Sequence, residues 1–171
     1  KRKKRAPATR VRVPDEIISF TDGVFGAYSE NLAEECGDFI IRRSDGVFAY
    51  QLAVTVDDGL SGVTEVVRGS DLISSTPRQI WLYRLFGFEP PHFVHIPLLC
   101  DVDGRRLSKR DEDLDLGLLR ERFTPEQVIG ALAFAAHLTD RAEPASVREL
   151  VQDFDWSRIP RHELYLPPMF R

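Results

Sequence analysis

Alternation of apolar and polar positions predicts short strands over Arg10–Val13 and Ile17–Phe20, closed by Pro14 and by the Asp22-Gly23 pair. Asp38–Arg43 reads as another strand, turned by Ser44-Asp45-Gly46, and Val63–Arg68 as a further one running into Gly69-Ser70-Asp71. The stretch from Phe48 to Leu60 is β-branched enough for a strand and also fits a mostly buried helix; Gly62 ends it either way. Two helix starts are clearer. In Thr76-Pro77-Arg78-Gln79, Thr76 is expected to cap the helix, Pro77 to take its first position and Gln79 to complete a capping box. Ile80, Leu82, Tyr83 and Leu85 follow at core spacing until Gly87. Thr124-Pro125-Glu126-Gln127 repeats the device, with Val128, Ile129, Leu132 and Ala136 as the expected apolar stripe. Between the two helices lies a strand-like His92–Leu99, leading into a loop from Cys100 to Lys109. A last helix is predicted over about Ala145–Phe154, before a Pro-rich tail. Strand, turn, helix, strand, loop is the order of an α/β nucleotide fold, whose ligands sit beyond the carboxyl ends of the strands.

Composition narrows this picture. The 171 residues suffice for one domain or a domain and a half, and 43% hydrophobic with 29% charged residues is ordinary for a soluble globular chain. No apolar run reaches the roughly 20 residues needed to span a bilayer, so no membrane association is expected. Cys36 and Cys100 stand alone, without a CxxC pair, which points to neither a disulfide framework nor a zinc site and makes a reducing, cytoplasmic setting the expectation. Charge is unevenly placed: residues 1–13 hold 7 of the 23 basic residues and no acid, while residues 14–171 carry 16 bases against 27 acids. Contact with nucleic acid would therefore rest on local patches. Lacking an initial Met and opening in a charged run, the chain reads as a fragment.

Three groups of residues could carry chemistry. In "GRRLSKRDEDLD", residues 104–115, Gly104 frees the backbone, Ser108 and Lys109 offer a hydroxyl and an ammonium, and Arg106 and Arg110 flank them with forks suited to phosphate oxygens. Such a set could neutralise charge on a leaving pyrophosphate; a salt-bridged surface turn is the plainer alternative. Arg68, at the end of a predicted strand, could clamp a carboxylate bidentately with Tyr50 adding a hydroxyl, or each could serve structure alone. Asp57-Asp58 fits a helix end better than a metal site. His95, inside an apolar strand, reads as a satisfied core histidine, and no Ser/His/Asp arrangement stands out.

Taken together, "FAYQLAVTVDD", "GVTEVVRGSDLISSTPRQIWLYRLFG", "HFVHIPLL" and "DGRRLSKRD" resemble class I glutamyl-tRNA synthetases, in order and spacing, from about Val11 to Leu138. The basic loop is similar to that family's KMSKS signature, here Arg106-Leu107-Ser108-Lys109-Arg110 with arginine in the leading position. The resemblance implies an α/β fold, the second half of a class I synthetase Rossmann-like domain, followed by a short helical stem-contact region. Its expected divisions are residues 1–13 as a basic segment after an absent N-terminal half, 14–110 as the catalytic region, and 111–171 as the helical region and tail.

By position, the resemblance implies that Tyr50 and Arg68 hold glutamate, Arg68 on its side-chain carboxylate. It places Asp71, Leu72, Leu98, Leu99, Arg106 and Lys109 along ATP, with Lys109 and Ser108 at the reacting phosphates and Mg as counter-ion. No metal is expected on this chain; zinc would belong only to the missing half, as would the HIGH-type motif absent here. The implied activity is ATP-dependent activation of L-glutamate and its transfer to tRNA, by a monomer. The ending "FDWSRIP" and the wording "FAYQLAV" resemble most the paralogous glutamyl-Q tRNA(Asp) synthetases, which load the queuosine base of tRNA(Asp). The alternatives are an ordinary enzyme for tRNA(Glu) cut before its anticodon domain, and a non-catalytic tRNA-binding module that kept the fold.

Overall fold

A computed structural model describes residues 6–101, 104–105, 107, 116–165 and 170. Arg106, Ser108, Lys109 and Arg110, the chemical part of the basic loop, lie outside the described residues. The chain divides into two compact units, Lys1–His95 and Ile96–Arg171.

The first unit holds β1 (Thr9–Val11), β2 (Ile17–Asp22), β3 (Gly26–Asn31), α1 (Leu32–Glu35), β4 (Phe39–Arg42), α2 (Tyr50–Ser61), β5 (Glu65–Gly69), a 3-10 turn (Ser70–Ser75), α3 (Thr76–Phe86) and all but the last residue of β6 (His92–Ile96). Strands β1 and β4 pair antiparallel with Val11 opposite Phe39, and β5 pairs with β6. β2 and β3 form an antiparallel hairpin in which Ile18 faces Glu30, Phe20 faces Tyr28 and Asp22 faces Gly26. Along β2, Ile18 and Asp22 are buried while Ile17, Ser19 and Thr21 are exposed. The strand period of two therefore carries Asp22 to the core face. There its Oδ1 accepts the backbone N–H groups of Val24 and Phe25 and closes the hairpin turn.

Ile18, Leu32, Ile80, Tyr83 and Phe93 form the core of this unit, with Phe20, Val66 and Phe88 packed against it. Tyr83 is 2% exposed, and burial pushes its phenol up to about 12, Asp58 acting in the same sense and Arg68 against it. The ambiguous stretch after Phe48 is helical. Leu60 nevertheless faces solvent, and Thr55 is the buried residue of α2, so the helix is amphipathic and not a buried span. In α3 the expected core residues Ile80, Leu82 and Tyr83 are buried, but Leu85 is 51% exposed, because a helix that packs along one side leaves its other face to water. Gly87, at φ 70°, terminates α3 as expected.

Expectation and structure part at the start of α3. Ser75 occupies the cap position and makes no side-chain cap bond. The 3-10 turn runs straight into the helix, so no free N-terminus is left to cap, and Thr76 and Gln79 turn their polar groups elsewhere. The predicted strand His92–Leu99 is likewise split: β6 stops at Ile96 before Pro97, which cannot donate to a ladder.

The second unit holds β7 (Leu99–Cys100), α4 (Leu116–Arg122), α5 (Pro125–Ala135), α6 (Val147–Gln152), a 3-10 turn (Trp156–Arg158) and β8 (Leu164–Tyr165), with β7 and β8 parallel. Thr124 caps α5 in the expected reciprocal box with Gln127, and Ser146 with Glu149 does the same for α6. The buried face of α5 is not the predicted stripe. Gly130, Ala131 and Ala133 are buried, and Leu132 is exposed. Small residues take that face because the chain at Glu143–Ala145 lies directly on it: the Ala145 N–H donates to Glu126 O at 3.0 Å. Cys36 and Cys100 are not joined in a disulfide. Among the described residues, no helix is long and apolar enough to cross a membrane.

Candidate active site

Arg68 lies one residue from the end of β5, on the same face as Val66, so the strand period directs it toward the core and not outward. Its guanidinium stacks 5.2 Å from the centroid of Phe93. Four hydrogen bonds hold it. Nε donates to His95 Nε2 at 2.9 Å, Nη1 to Gln79 Oε1 at 2.8 Å, and Nη2 to Thr76 Oγ1 at 2.7 Å and Leu72 O at 3.4 Å. A guanidinium has five N–H groups, so one Nη1 hydrogen is left without a partner among the described residues. A bidentate grip on a carboxylate would have to displace the bond to Gln79 or Thr76.

All four acceptors are uncharged, and no carboxylate among the described residues comes within ion-pair distance of Arg68. Burial pulls this guanidinium below the ordinary arginine value, while Tyr50, Tyr83, Asp58 and Asp22 act in the opposite sense. The site is thus a half-buried, oriented cation with no directly paired carboxylate among the described residues.

Two chains of polar groups radiate from it. On one side Gln79 Nε2 donates to Gln51 Oε1 at 2.8 Å, and Gln51 Nε2 donates to Ser75 Oγ at 3.0 Å. This ladder ties Arg68 to the first turn of α2, where Tyr50 stands 56% exposed. On the other side His95, fully buried, has its Nδ1 2.6 Å from Asp22 Oδ2. Asp22, 3% exposed, also accepts the His95 backbone N–H. The Thr76 hydroxyl sits 3.4 Å from His95 Nε2. This resembles a nucleophile–histidine–carboxylate row, but Thr76 is itself fully buried and already accepts from Arg68, so it is a strut and not a nucleophile.

Of the residues singled out from the sequence, the structure brings Arg68 and Leu72 into contact, with Tyr50 in electrostatic reach of Arg68. Asp71 stands in the 3-10 turn and acts electrostatically on His95. Leu98 and Leu99 open the second unit. Leu98 O accepts the Leu164 N–H at 2.9 Å, and Leu99 O accepts the Leu107 N–H at 3.3 Å. The Asp101 carboxylate accepts both the backbone N–H and the Nε–H of Arg105. The second unit also has an open cleft of about 430 Å³ lined in part by Phe134, His137, Asp140, His162 and Tyr165; none of these carried a sequence expectation.

The sequence pattern does not mark Asp22, Gln51, Thr76, Gln79 or His95 as site residues. Asp22 could have been found by continuing the alternation Ile18-Phe20 by one step. Thr76 and Gln79 carry a capping pattern, and the expectation of a satisfied core histidine at His95 agrees with its two bonded ring nitrogens.

The family profile described as tRNA synthetases class I (E and Q), catalytic domain, matches residues 1–158. The chain belongs to this family. Glutamyl-Q tRNA(Asp) synthetase of Symbiobacterium thermophilum is 48% identical over 164 residues, covering 95% of this chain and 50% of that protein. The Geobacter sulfurreducens protein of the same name is 55% identical over 158 residues, covering 88% and 50%. Among solved structures, a glutamate tRNA ligase from Elizabethkingia meningosepticum in complex with its amino acid superposes with a TM-score of 0.79 at 26% identity, covering 94% of this chain and 36% of that one. The fold is accordingly the mixed α/β catalytic domain of a class I synthetase, and the chain spans about half the length of the curated relatives it matches.

Proposed function

We propose that Arg68 receives the side-chain carboxylate of L-glutamate while the amino acid is activated by ATP, and that the glutamyl group then passes to tRNA. The observation that carries this reading is that, among the described residues, no carboxylate pairs directly with Arg68. Among the described residues, a half-buried guanidinium held by a histidine, an amide, a hydroxyl and a carbonyl is oriented but meets no carboxylate directly. An arriving carboxylate supplies the charge and takes the remaining Nη1 hydrogen, a charge-assisted bond stronger than its neutral counterparts. Tyr50, exposed at the start of α2 and within electrostatic reach of Arg68, adds a hydroxyl.

The chemistry needs no covalent protein intermediate. The glutamate α-carboxylate attacks the α-phosphorus of ATP, the bond to pyrophosphate breaks, and a tRNA hydroxyl then displaces AMP from the acyl carbon. The protein's contribution is positioning and stabilisation of charge on the departing pyrophosphate. Lys109, Ser108 and Arg106 are assigned to the phosphates, and Asp71, Leu72, Leu98 and Leu99 to the nucleotide, by their places in the family pattern. Mg²⁺ would accompany ATP, held mainly by phosphates and water; among the described residues no group of three His, Cys, Asp or Glu is arranged to hold a metal.

The queuosine base of tRNA(Asp) is the favoured acceptor, because relatives so named match nearly the whole chain at 48 and 55% identity. The test is glutamate-dependent ATP–pyrophosphate exchange by the natural full-length protein, followed by charging of tRNA(Asp) with and without queuosine and of tRNA(Glu). Exchange with charging of queuosine-bearing tRNA(Asp) alone supports the reading. Charging of tRNA(Glu) instead replaces the acceptor, and no exchange removes the enzyme.

A further inference from the structure

We infer that Asp22 and His95 are positioning residues for the amino-acid site: the Asp22–His95 pair fixes the rotation of the Arg68 guanidinium and so sets the affinity for glutamate. The inference rests on the reading of Arg68 as the glutamate-binding cation.

Donor and acceptor chemistry forces the arrangement. Arginine Nε can only donate, so the His95 Nε2 that lies 2.9 Å from it must carry a lone pair and no proton. The proton of the neutral ring is then on Nδ1, which donates to Asp22 Oδ2 at 2.6 Å. Asp22 selects that tautomer, because among the described residues its carboxylate accepts from N–H groups alone: Val24, Phe25 and both the backbone and the ring of His95. The hairpin turn at the end of β2 therefore fixes the carboxylate, the carboxylate fixes the imidazole, and the imidazole fixes Arg68 Nε.

A structural role alone would not require this chemistry. A buried apolar side chain of similar volume would fill the space between Phe20 and Phe93, whose ring centroids lie 6.4 and 6.3 Å from that of His95. What only an Nε2 acceptor provides is a stop against rotation about the Arg68 Cδ–Nε bond. Without it the Gln79 and Thr76 bonds can be kept by a tilted guanidinium, and the free Nη1 hydrogen no longer points one way. The charged groups around His95 are Asp22 from β2, Arg68 from β5 and Asp71 from the turn after it; protonation would remove the acceptor and set an imidazolium against Arg68.

The test is steady-state kinetics of the natural full-length protein, with ATP–pyrophosphate exchange as readout. His95→Phe, which keeps the aromatic volume, is expected to raise the glutamate KM by roughly tenfold while the ATP KM and the limiting rate stay within about threefold. His95→Gln, whose amide can donate toward Asp22 and accept from Arg68, is expected to return the glutamate KM to within about threefold of the parent. Arg68→Lys is the reference. If it raises the glutamate KM and His95→Phe does not, the positioning role is overturned while the glutamate reading stands. If Arg68→Lys leaves that KM unchanged, the glutamate reading itself fails. Nitrogen-15 spectra of the parent protein keep the test independent of how the variants fold: an unprotonated His95 Nε2 supports the inference, and a protonated one overturns it.

Discussion

His95 Nε2 accepts from Arg68 Nε at 2.9 Å while its Nδ1 lies 2.6 Å from Asp22 Oδ2, all inside a protein core where His95 is fully buried. Burial lowers the imidazole pKa; the hydrogen bond to Asp22 opposes this and Arg68 reinforces it. The neutral ring is the form the fold selects.

That direction fixes a pH dependence. Burial holds the folded ring below the ordinary histidine value of about 6.5 that the unfolded chain keeps, so the unfolded state takes up a proton first as pH falls. Stability is unaffected well above 6.5, declines as pH drops through that value, and levels off once the folded ring also protonates. Urea unfolding between pH 8 and pH 5 should show this decline, and His95→Gln should flatten it. An identical acid slope in both proteins would assign the slope to other groups.

Gln79 is the hinge of the other polar chain. Gln79→Leu keeps the volume, but it strands an Arg68 Nη1 hydrogen and breaks the Gln51–Ser75 ladder. A stranded buried donor costs about 1–3 kcal/mol, more when charged. Chemical denaturation should show at least the lower figure, with the glutamate KM raised as well. A loss of stability without a change in KM would confine Gln79 to the scaffold.

Alanine normally improves a helix interior over glycine by up to about 1 kcal/mol. At Gly130 the sign should invert. A Cβ built there meets the Glu143 carbonyl carbon at 2.8 Å and Ala145 N at 3.1 Å, and comes closer still to the Glu143 carbonyl oxygen. These are backbone atoms, tied down by the bond from Ala145 N–H to Glu126 O. Gly130→Ala is expected to destabilise by about 1–3 kcal/mol through overpacking, visible as a lowered melting temperature. A rise would mean that the 139–145 segment yields freely.

Lys109→Ala in the full-length protein should slow glutamate-dependent ATP–pyrophosphate exchange at least tenfold, about 1.4 kcal/mol in the barrier. An exchange rate equal to the parent's would remove Lys109 from the phosphate site.

Local signals in the chain were sufficient for much of this. Gly87 stops α3, Thr124 and Gln127 cap α5, and Arg68 lies near the end of its strand, each because backbone geometry and capping depend on residues a few positions apart. Motif wording and spacing were enough for the family. What the sequence did not decide was the use of Thr76 and Gln79, which carry a capping pattern yet serve Arg68, and the small-residue face of α5. Nor did it single out the partners of Arg68. His95 and Asp22 are 73 residues apart, Arg68 and His95 are 27 apart, and Gln79 and Gln51 are 28 apart. Periodicity reports which face a side chain occupies, but not which distant group meets it there. Only packing β2, β5, β6, α2 and α3 around one core brought a carboxylate, an imidazole and two amides into place. In that setting each buried polar group had to find a partner or be paid for in desolvation.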